Sequence, residues 1–238
     1  LMIEYGKAKY SVGIDLGTTH CAINYSELDI KKGERAIIHN FLIPQVAAPG
    51  QIEDLHLLPS FIYLPHHDEM KMEDIALPWQ QDDFIIIGEY ARAKGTSTPS
   101  RIVSSAKSWL CQENVDKRSG ILPQTPAEDI EAFSPLQATI YYLEHIRNAW
   151  DNVFPGTPMY QQEITLTIPA SFDPAARELT AEAARLSDFE KLTLLEEPQA
   201  AFYNWVQKMG DDWKDYINIG DIILVVDVGG GTTDFSLL

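Results

Sequence analysis

Cysteine is nearly absent from this chain of 238 residues: Cys21 and Cys111 are the only two. Neither belongs to a C-x-x-C pair, so the sequence indicates neither a metal knuckle nor a redox couple. Both read as small core residues in a reducing setting. Positive charge is scarce as well. Lys and Arg number 18 against 35 Asp and Glu, a formal net charge of −17. Nucleic acid and anionic membrane both require clustered Lys and Arg, so neither is expected as a partner. No apolar run reaches the length of a transmembrane helix. The first ten residues are too polar for a signal peptide, and a cytoplasmic location is the expectation. Leu1 ahead of Met2 reads as a leftover of cloning. The apolar strand that stops at Leu238 reads as a cut chain.

What is present points to a packed globular protein. Hydrophobic residues make up 45% of the chain, with five Trp and ten Tyr. Such a length can bury a substantial core in one or two domains. Two near-copies of one signature stand out. The first is Gly13-Ile14-Asp15-Leu16-Gly17-Thr18-Thr19, and the second is Val226-Asp227-Val228-Gly229-Gly230-Gly231-Thr232-Thr233-Asp234. Each runs from an apolar β-rich stretch through an Asp into a Gly/Thr turn and a second apolar stretch. Each therefore reads as a β-hairpin. Glycine lets the backbone approach an anion closely, and successive N–H groups in such a turn form an anion nest. The Asp at each strand end can orient a hydrated cation. Backbone N–H groups with a divalent cation would let a strongly acidic protein hold phosphate without a basic patch. The duplication makes coincidence a poor account, although either copy alone could be only a tight turn.

Between the hairpins, 36–43 is a further apolar run, 60–64 and 84–88 read as short strands, and 46–58 as a loop turning at Pro49-Gly50. The run His66-His67-Asp68-Glu69 reads as a solvated loop, because adjacent residues seldom ligate one ion. Segment 100–110 reads as a helix with Ile102, Val103, Ala106, Trp109 and Leu110 on one face and Lys107 at its margin. Ser134-Pro135-Leu136-Gln137 opens a long helix, with Ser134 as cap, Pro135 at N1 and Gln137 completing a capping box. Asp173-Pro174 opens another in the same manner. Strands are expected at 163–168 and 191–195, and an amphipathic helix from Glu197 to a stop at Gly210. The order is hairpin, mixed insert, then β-α-β-α-β, an α/β protein with a mixed sheet. The second hairpin has little core beneath it. An isolated hairpin is marginal in water, so the two turns are expected to face each other only in a longer chain.

These segments together resemble the nucleotide-binding domain of the 70-kDa heat-shock (DnaK-like) chaperones, within the actin-like ATPase superfamily. Gly13 to Thr19 resembles the first phosphate loop, and Leu58-Pro59-Ser60-Phe61-Ile62 the family's T-P-S-x-I start of its small subdomain. Ala106-Lys107-Ser108-Trp109-Leu110 resembles the segment with the catalytic lysine. Ile168-Pro169-Ala170-Ser171-Phe172, with Arg177, resembles the switch segment. Glu197-Pro198-Gln199-Ala200-Ala201 resembles the connecting motif, and Asp227 to Asp234 the second phosphate loop.

The resemblance implies an actin-like ATPase (ribonuclease H-like) fold, with a mixed sheet flanked by helices and a smaller inserted α+β subdomain. Lobe I would span 1–219, with a core of 1–57 and 130–219 and an insert of 58–129. Residues 220–238 would be the first hairpin of a truncated lobe II. The implied ligands are ATP or ADP, Mg²⁺ and a monovalent cation such as K⁺. Gly17, Thr18, Thr19, Gly229, Gly230, Gly231 and Thr232 would hold phosphates, and Asp15 and Asp227 would orient waters around Mg²⁺. Lys107 would place the γ-phosphate and attacking water, and Glu197 would bind metal-bound water. Asp227, Thr232 and Asp234 would sit near that water and the monovalent cation. Pro169 and Arg177 would couple nucleotide state to a peptide-binding domain. Co-chaperones or nucleotide exchange factors would be further partners. The implied activity is ATP hydrolysis in a longer parent. This chain, without a base-binding site, is expected to bind nucleotide weakly and not to turn it over.

The pattern also departs from the family. His20 stands where Asn or Tyr is common, Thr233 where Phe is common, and Ser171 where an aromatic residue is usual. Segments 30–57 and 65–83 are longer than typical. A divergent member is expected. Two other readings use the same loops: an actin-like filament ATPase of the cell-shape type, and a sugar-kinase-like phosphotransferase. Fold-level kinship does not separate them.

Overall fold

A computed structural model describes residues 7–31, 33–80 and 84–238. The reading of Leu1 and the far end of the long 65–83 segment lie outside them. The organising element is a mixed six-stranded sheet. Strand β1 (Tyr10–Leu16) turns back into β2 (His20–Glu27), as the first signature requires. Beyond β2 lies β3 (His39–Asn40). The apolar run 36–43 is otherwise irregular up to β4 (Ile43–Ala48), which pairs with β5 (Gln51–Leu55) in a separate hairpin. The short β6 (Leu58–Pro59) returns to pair with β2.

A second, three-stranded antiparallel sheet follows. It consists of β7 (Phe61–Tyr63), β8 (Ile86–Ile87) and, after helix α1 (Glu89–Gly95), β9 (Ile102–Ser104). Its own small core contains Tyr63, Ile75, Leu77, Ile86 and Ala91. The chain then forms α2 (Ala106–Cys111) and the long α3 (Pro135–Val153). It re-enters the main sheet through β10 (Glu163–Ile168), α4 (Pro174–Leu186) and β11 (Lys191–Glu196). Helix α5 (Glu197–Met209) leads to the last hairpin, β12 (Leu224–Val228) and β13 (Thr233–Leu237). β10 runs parallel to both β1 and β11, whereas β2 is antiparallel to β1. The mixed sheet expected from the β-α-β-α-β order is therefore present.

The alternation of β1 decides which way the site faces. Tyr10, Val12, Ile14 and Leu16 are buried, and so are Ile164, Leu166 and Ile168 of β10. All of these but Ile168 share one core with Leu143, Ile146 and Trp150 of α3 and Ala183 and Ala184 of α4, while Ile168 packs with Phe172 and Ala176. Trp150 is fully buried, meets Tyr10 and Tyr25 edge-on, and donates from Nε1 to the Thr157 carbonyl at 2.9 Å. Burying each large apolar side chain contributes about 1.5–3 kcal/mol. The opposite face carries Gly13, Asp15, Thr165 and Thr167, all outside this core. Period-2 alternation thus leaves Asp15 on the open face.

Helix starts form as local chemistry dictates. Ser134 Oγ accepts from Gln137 N at 3.0 Å, and an Asp173 carboxylate oxygen accepts from Ala176 N at 2.7 Å. Both caps precede a proline at the first helical position, where no amide hydrogen is needed.

Four expectations are corrected. Segment 46–58 is a hairpin, not a loop. β5 is exposed along almost its whole length, so it carries no burial alternation to read. Buried Gln45 anchors that hairpin, donating to Leu57 O at 3.0 Å and accepting from Glu89 N at 2.8 Å. Segment 100–110 is not one helix. Ile102–Ser104 pairs with β7, and Ser105 at φ 58° separates that strand from α2. β-branched residues fit the pairing and tertiary context overrides helical spacing. Cys111 is exposed, because α2 ends with it; Cys21 is buried as expected. Finally, the two signature turns face each other within this chain. A Cβ on Gly230 would lie 2.6 Å from the Thr19 side chain, and one on Gly231 would lie 3.2 Å from Thr18. The second hairpin rests on α5, while its apolar side chains Val226, Phe235 and Leu237 stay exposed.

Candidate functional site

The first turn is shaped by a residue that cannot carry a side chain. A Cβ on Gly17 would lie 2.1 Å from the His20 carbonyl oxygen, so the tight return from β1 to β2 needs glycine. Ser60, buried where β6 meets β7, clamps the same turn. Its Oγ donates to Gly17 O at 2.8 Å and its amide to Thr19 O at 2.9 Å. The second turn closes with Gly229 N donating to Thr232 O at 2.9 Å. Thr232 Oγ1 also donates to Asp234 Oδ2 at 3.1 Å.

Between the turns lies a cleft of about 480 Å³. It is lined by Asp15, Gly17, Thr18, Thr19, Lys107, Glu197, Asp227, Gly229, Gly230, Gly231, Thr232 and Asp234. All the residues singled out for phosphate, metal or catalytic roles therefore meet at one place. Pro169 lines an adjoining cavity shared with Glu197, Asp227 and Asp234. Arg177 lies behind it as a clasp, donating to Phe172 O at 3.0 Å, Ala170 O at 3.3 Å and Glu196 Oε1 at 2.6 Å.

The electrostatics centre on one ion pair. Lys107 Nζ sits 2.6 Å from Glu197 Oε1, with only 12% and 16% of the two side chains exposed. Burial holds the Glu197 carboxyl above its ordinary range, the Lys107 ammonium pulls it down, and Asp15 and Asp227 push it up again. On the open face, Thr167 Oγ1 donates to Asp15 Oδ1 at 3.0 Å. Behind the first turn, burial raises the Cys21 thiol to about 11, which makes it a poor nucleophile at neutral pH. A concave site of backbone N–H turns, hydroxyls and four carboxylates suits an anion carried with a hydrated cation. The Mg²⁺ and polyphosphate that the family resemblance implies fit this donor set. The hard carboxylate oxygens suit Mg²⁺, and the bare glycines leave room for phosphate beside the turns.

Sequence reasoning missed several lining residues: His20 as a cleft group, and Asn24, Thr167, Ala200, Ala201 and Asn204. Some were within reach. Glu197, Ala200, Ala201 and Asn204 follow the i, i+3, i+4, i+7 spacing of one helix face, and Thr167 pairs directly with Asp15. The His66–Asp68 turn lies elsewhere. His66, His67 and Asp68 place one ligand atom each within 4.8 Å of one another, with His67 and Asp68 exposed. Glu69 turns away, accepting from Tyr63 and Lys94. Among the described residues no helix is long and apolar enough to cross a membrane.

Residues 71–238 match the Hsp70 protein family. Curated relatives are similar over nearly the whole chain. The chaperone protein HscA of Xenorhabdus nematophila is 28% identical over 242 residues, covering 97% of this chain and 32% of that protein. An HscA homolog of Haemophilus influenzae is 29% identical, with the same coverage of each. The chaperone protein DnaK of Thermotoga maritima is 24% identical over 98% of this chain and 31% of its own. The chain thus spans about a third of the length of the curated relatives it matches.

Proposed function

The chain belongs to the Hsp70 family, and from that premise we propose that it is the N-terminal part of the ATP-binding and ATP-hydrolysing domain of a divergent, cytoplasmic, stress-response chaperone. The fold would be the actin-like one, with core 1–57 and 130–219, insert 58–129, and the first hairpin of a second lobe at 220–238. One observation carries the reading: the two Gly/Thr turns face each other across a single cleft whose wall also holds Lys107 and four carboxylates. The family match favours the chaperone over the filament and sugar-kinase readings.

The roles follow from chemistry. Backbone N–H groups of the two turns, with the hydroxyls of Thr18, Thr19 and Thr232, bind phosphate oxygens. Asp15 and Asp227 would orient waters of a hydrated Mg²⁺, and Glu197 would hold another. The cation's contribution is to neutralise charge on the transferring phosphoryl group. Lys107, released from Glu197, stabilises that charge and positions the attacking water. Asp227, Thr232 and Asp234 orient this water and a monovalent cation such as K⁺. Arg177 clasps the Pro169–Phe172 turn and β11 together, and Pro169 and Arg177 would couple nucleotide state to a peptide-binding domain, with co-chaperones or exchange factors as further partners. Among the described residues no Trp, Tyr, Phe or Arg lines the cleft itself, which leaves mainly phosphate-side contacts. This chain alone therefore binds ATP weakly and does not turn it over.

Single-turnover kinetics in the longer protein test the reading. Removing one charge-stabilising group costs on the order of 10²–10³ in rate, so Lys107→Ala should lower the chemical step by about that much while nucleotide binding is largely kept. A chemical step within about threefold of wild type would refute the assignment. Calorimetric titration of Mg-ATP into this chain should show affinity weaker than micromolar.

A further inference from the structure

His20 begins β2 and follows directly on the first phosphate turn. Its side chain is exposed and lines the cleft, and its Nδ1 shares a hydrogen bond of 3.1 Å with Thr19 Oγ1. Nε2 has no protein partner among the described residues. The cleft is otherwise short of positive charge. Around His20 stand Asp15 on β1, Glu197 on α5, and Asp227 and Asp234 on the second hairpin, and among the described residues Lys107 of α2 is the one Lys or Arg of the lining. That cation is already engaged by Glu197 at 2.6 Å. A polyphosphate entering this space meets four carboxylates and one neutralised lysine.

We propose that His20 is a phosphate-binding residue of this chain that takes up a proton as a polyphosphate enters the cleft; this rests on the reading of the cleft as a phosphate site. Thr19 fixes the chemistry. While Nδ1 is a bare lone pair it accepts the Thr19 hydroxyl hydrogen, and that hydroxyl is lost to the anion. Once both ring nitrogens carry hydrogen, Nδ1–H donates to Thr19 Oγ1 and the hydroxyl hydrogen turns toward phosphate. Nε2–H, already a donor in that neutral tautomer, becomes charge-assisted. One proton thus supplies a charge, frees the Thr19 hydroxyl and strengthens the Nε2–H donor. Among ordinary side chains only imidazole makes that change between pH 5 and 8. Of the other charged groups around the cleft, Glu197 has its carboxyl held above its ordinary range by burial.

The test uses the chain as it stands, with Mg-tripolyphosphate as probe, followed by ³¹P NMR and by calorimetry in buffers of different ionisation enthalpy. Wild type, His20→Asn and His20→Lys are compared at about pH 6 and about pH 8, which bracket the imidazole range. Wild type should bind about tenfold tighter at the lower pH, the worth of one charge-assisted hydrogen bond, and should take up a proton at the higher. His20→Asn should retain only the dependence that tripolyphosphate itself brings. His20→Lys should bind at the higher pH as wild type does at the lower. If His20→Asn keeps the wild-type pH profile and proton uptake, the inference falls while the phosphate reading stands. If wild type binds tripolyphosphate at neither pH, both fall.

Discussion

Replacing Lys107 by alanine should destabilise this chain in a manner that grows with pH, with no nucleotide present. At 2.6 Å and an effective dielectric of about 20, the Lys107–Glu197 attraction is about 6 kcal/mol before desolvation. Burying two ions costs several kcal/mol each, so the intact pair is near break-even. The alanine variant is different, because it leaves a carboxylate that is only 16% exposed beside Asp15 and Asp227. Breaking a fully buried pair costs about 3–5 kcal/mol. Residual exposure lowers the expectation here to about 2–3 kcal/mol at pH 8. Burial already holds the Glu197 carboxyl above its ordinary range, and Lys107 is the main force lowering it. Without Lys107 the folded state keeps its proton to higher pH than the unfolded state does. A group with a raised folded pKa contributes its stability at low pH and loses it as pH rises through the folded value. The loss from Lys107→Ala should therefore shrink to below about 1 kcal/mol near pH 5, where Glu197 is free to hold a proton. Adding Glu197→Gln should recover most of the stability at pH 8, since an amide carries no charge to strand. Urea denaturation at both pH values measures this. A loss below about 0.5 kcal/mol at pH 8 would place the pair with exposed surface pairs and refute the argument. Equal losses at both pH values would refute it too.

Two further outcomes are expected. His145 is buried, donates from Nε2 to Pro44 O at 3.0 Å, and is held by burial at about 4. The unfolded chain then binds more protons, so stability should fall by roughly 3 kcal/mol between pH 6.5 and 4 on this account, and His145→Gln should flatten that slope in denaturation curves; an unchanged slope would remove His145 from the explanation. Hydrogen exchange should find the β12 and β13 amides far less protected than those of β1 and β10, because the last hairpin leaves Val226, Phe235 and Leu237 exposed. Equal protection in dilute monomer would mean that α5 and the first turn hold it more firmly than these contacts allow.

Much of this architecture was legible because its causes are local. Ser134-Pro135 and Asp173-Pro174 open helices through their own hydroxyl, carboxylate and missing amide hydrogen. β10 shows its alternation directly, and Gly210 stops α5 at φ 64°. The site residues were legible for a related reason: glycines and an adjoining Asp in two similar turns leave few other uses for the pattern. Pairing between distant segments decided the rest. Ile102–Ser104 is a strand only because β7 offers it a partner, and β5 is a strand although no face of it is buried. From the local pattern Lys107 read only as a residue at the margin of a helix's apolar face. Its carboxylate partner lies 90 residues on and reaches it only when α5 crosses the open face of the sheet. Likewise Gln162 Oε1 accepts the Tyr10 amide, 152 residues away, at 2.9 Å. The meeting of the two turns belongs to the same class. The sequence by itself determined which residues could bind phosphate, since that is written in backbone freedom and side-chain chemistry. Tertiary structure alone decided that they face one cleft and that its lysine is already paired, because proximity across a fold depends on what the intervening chain buries.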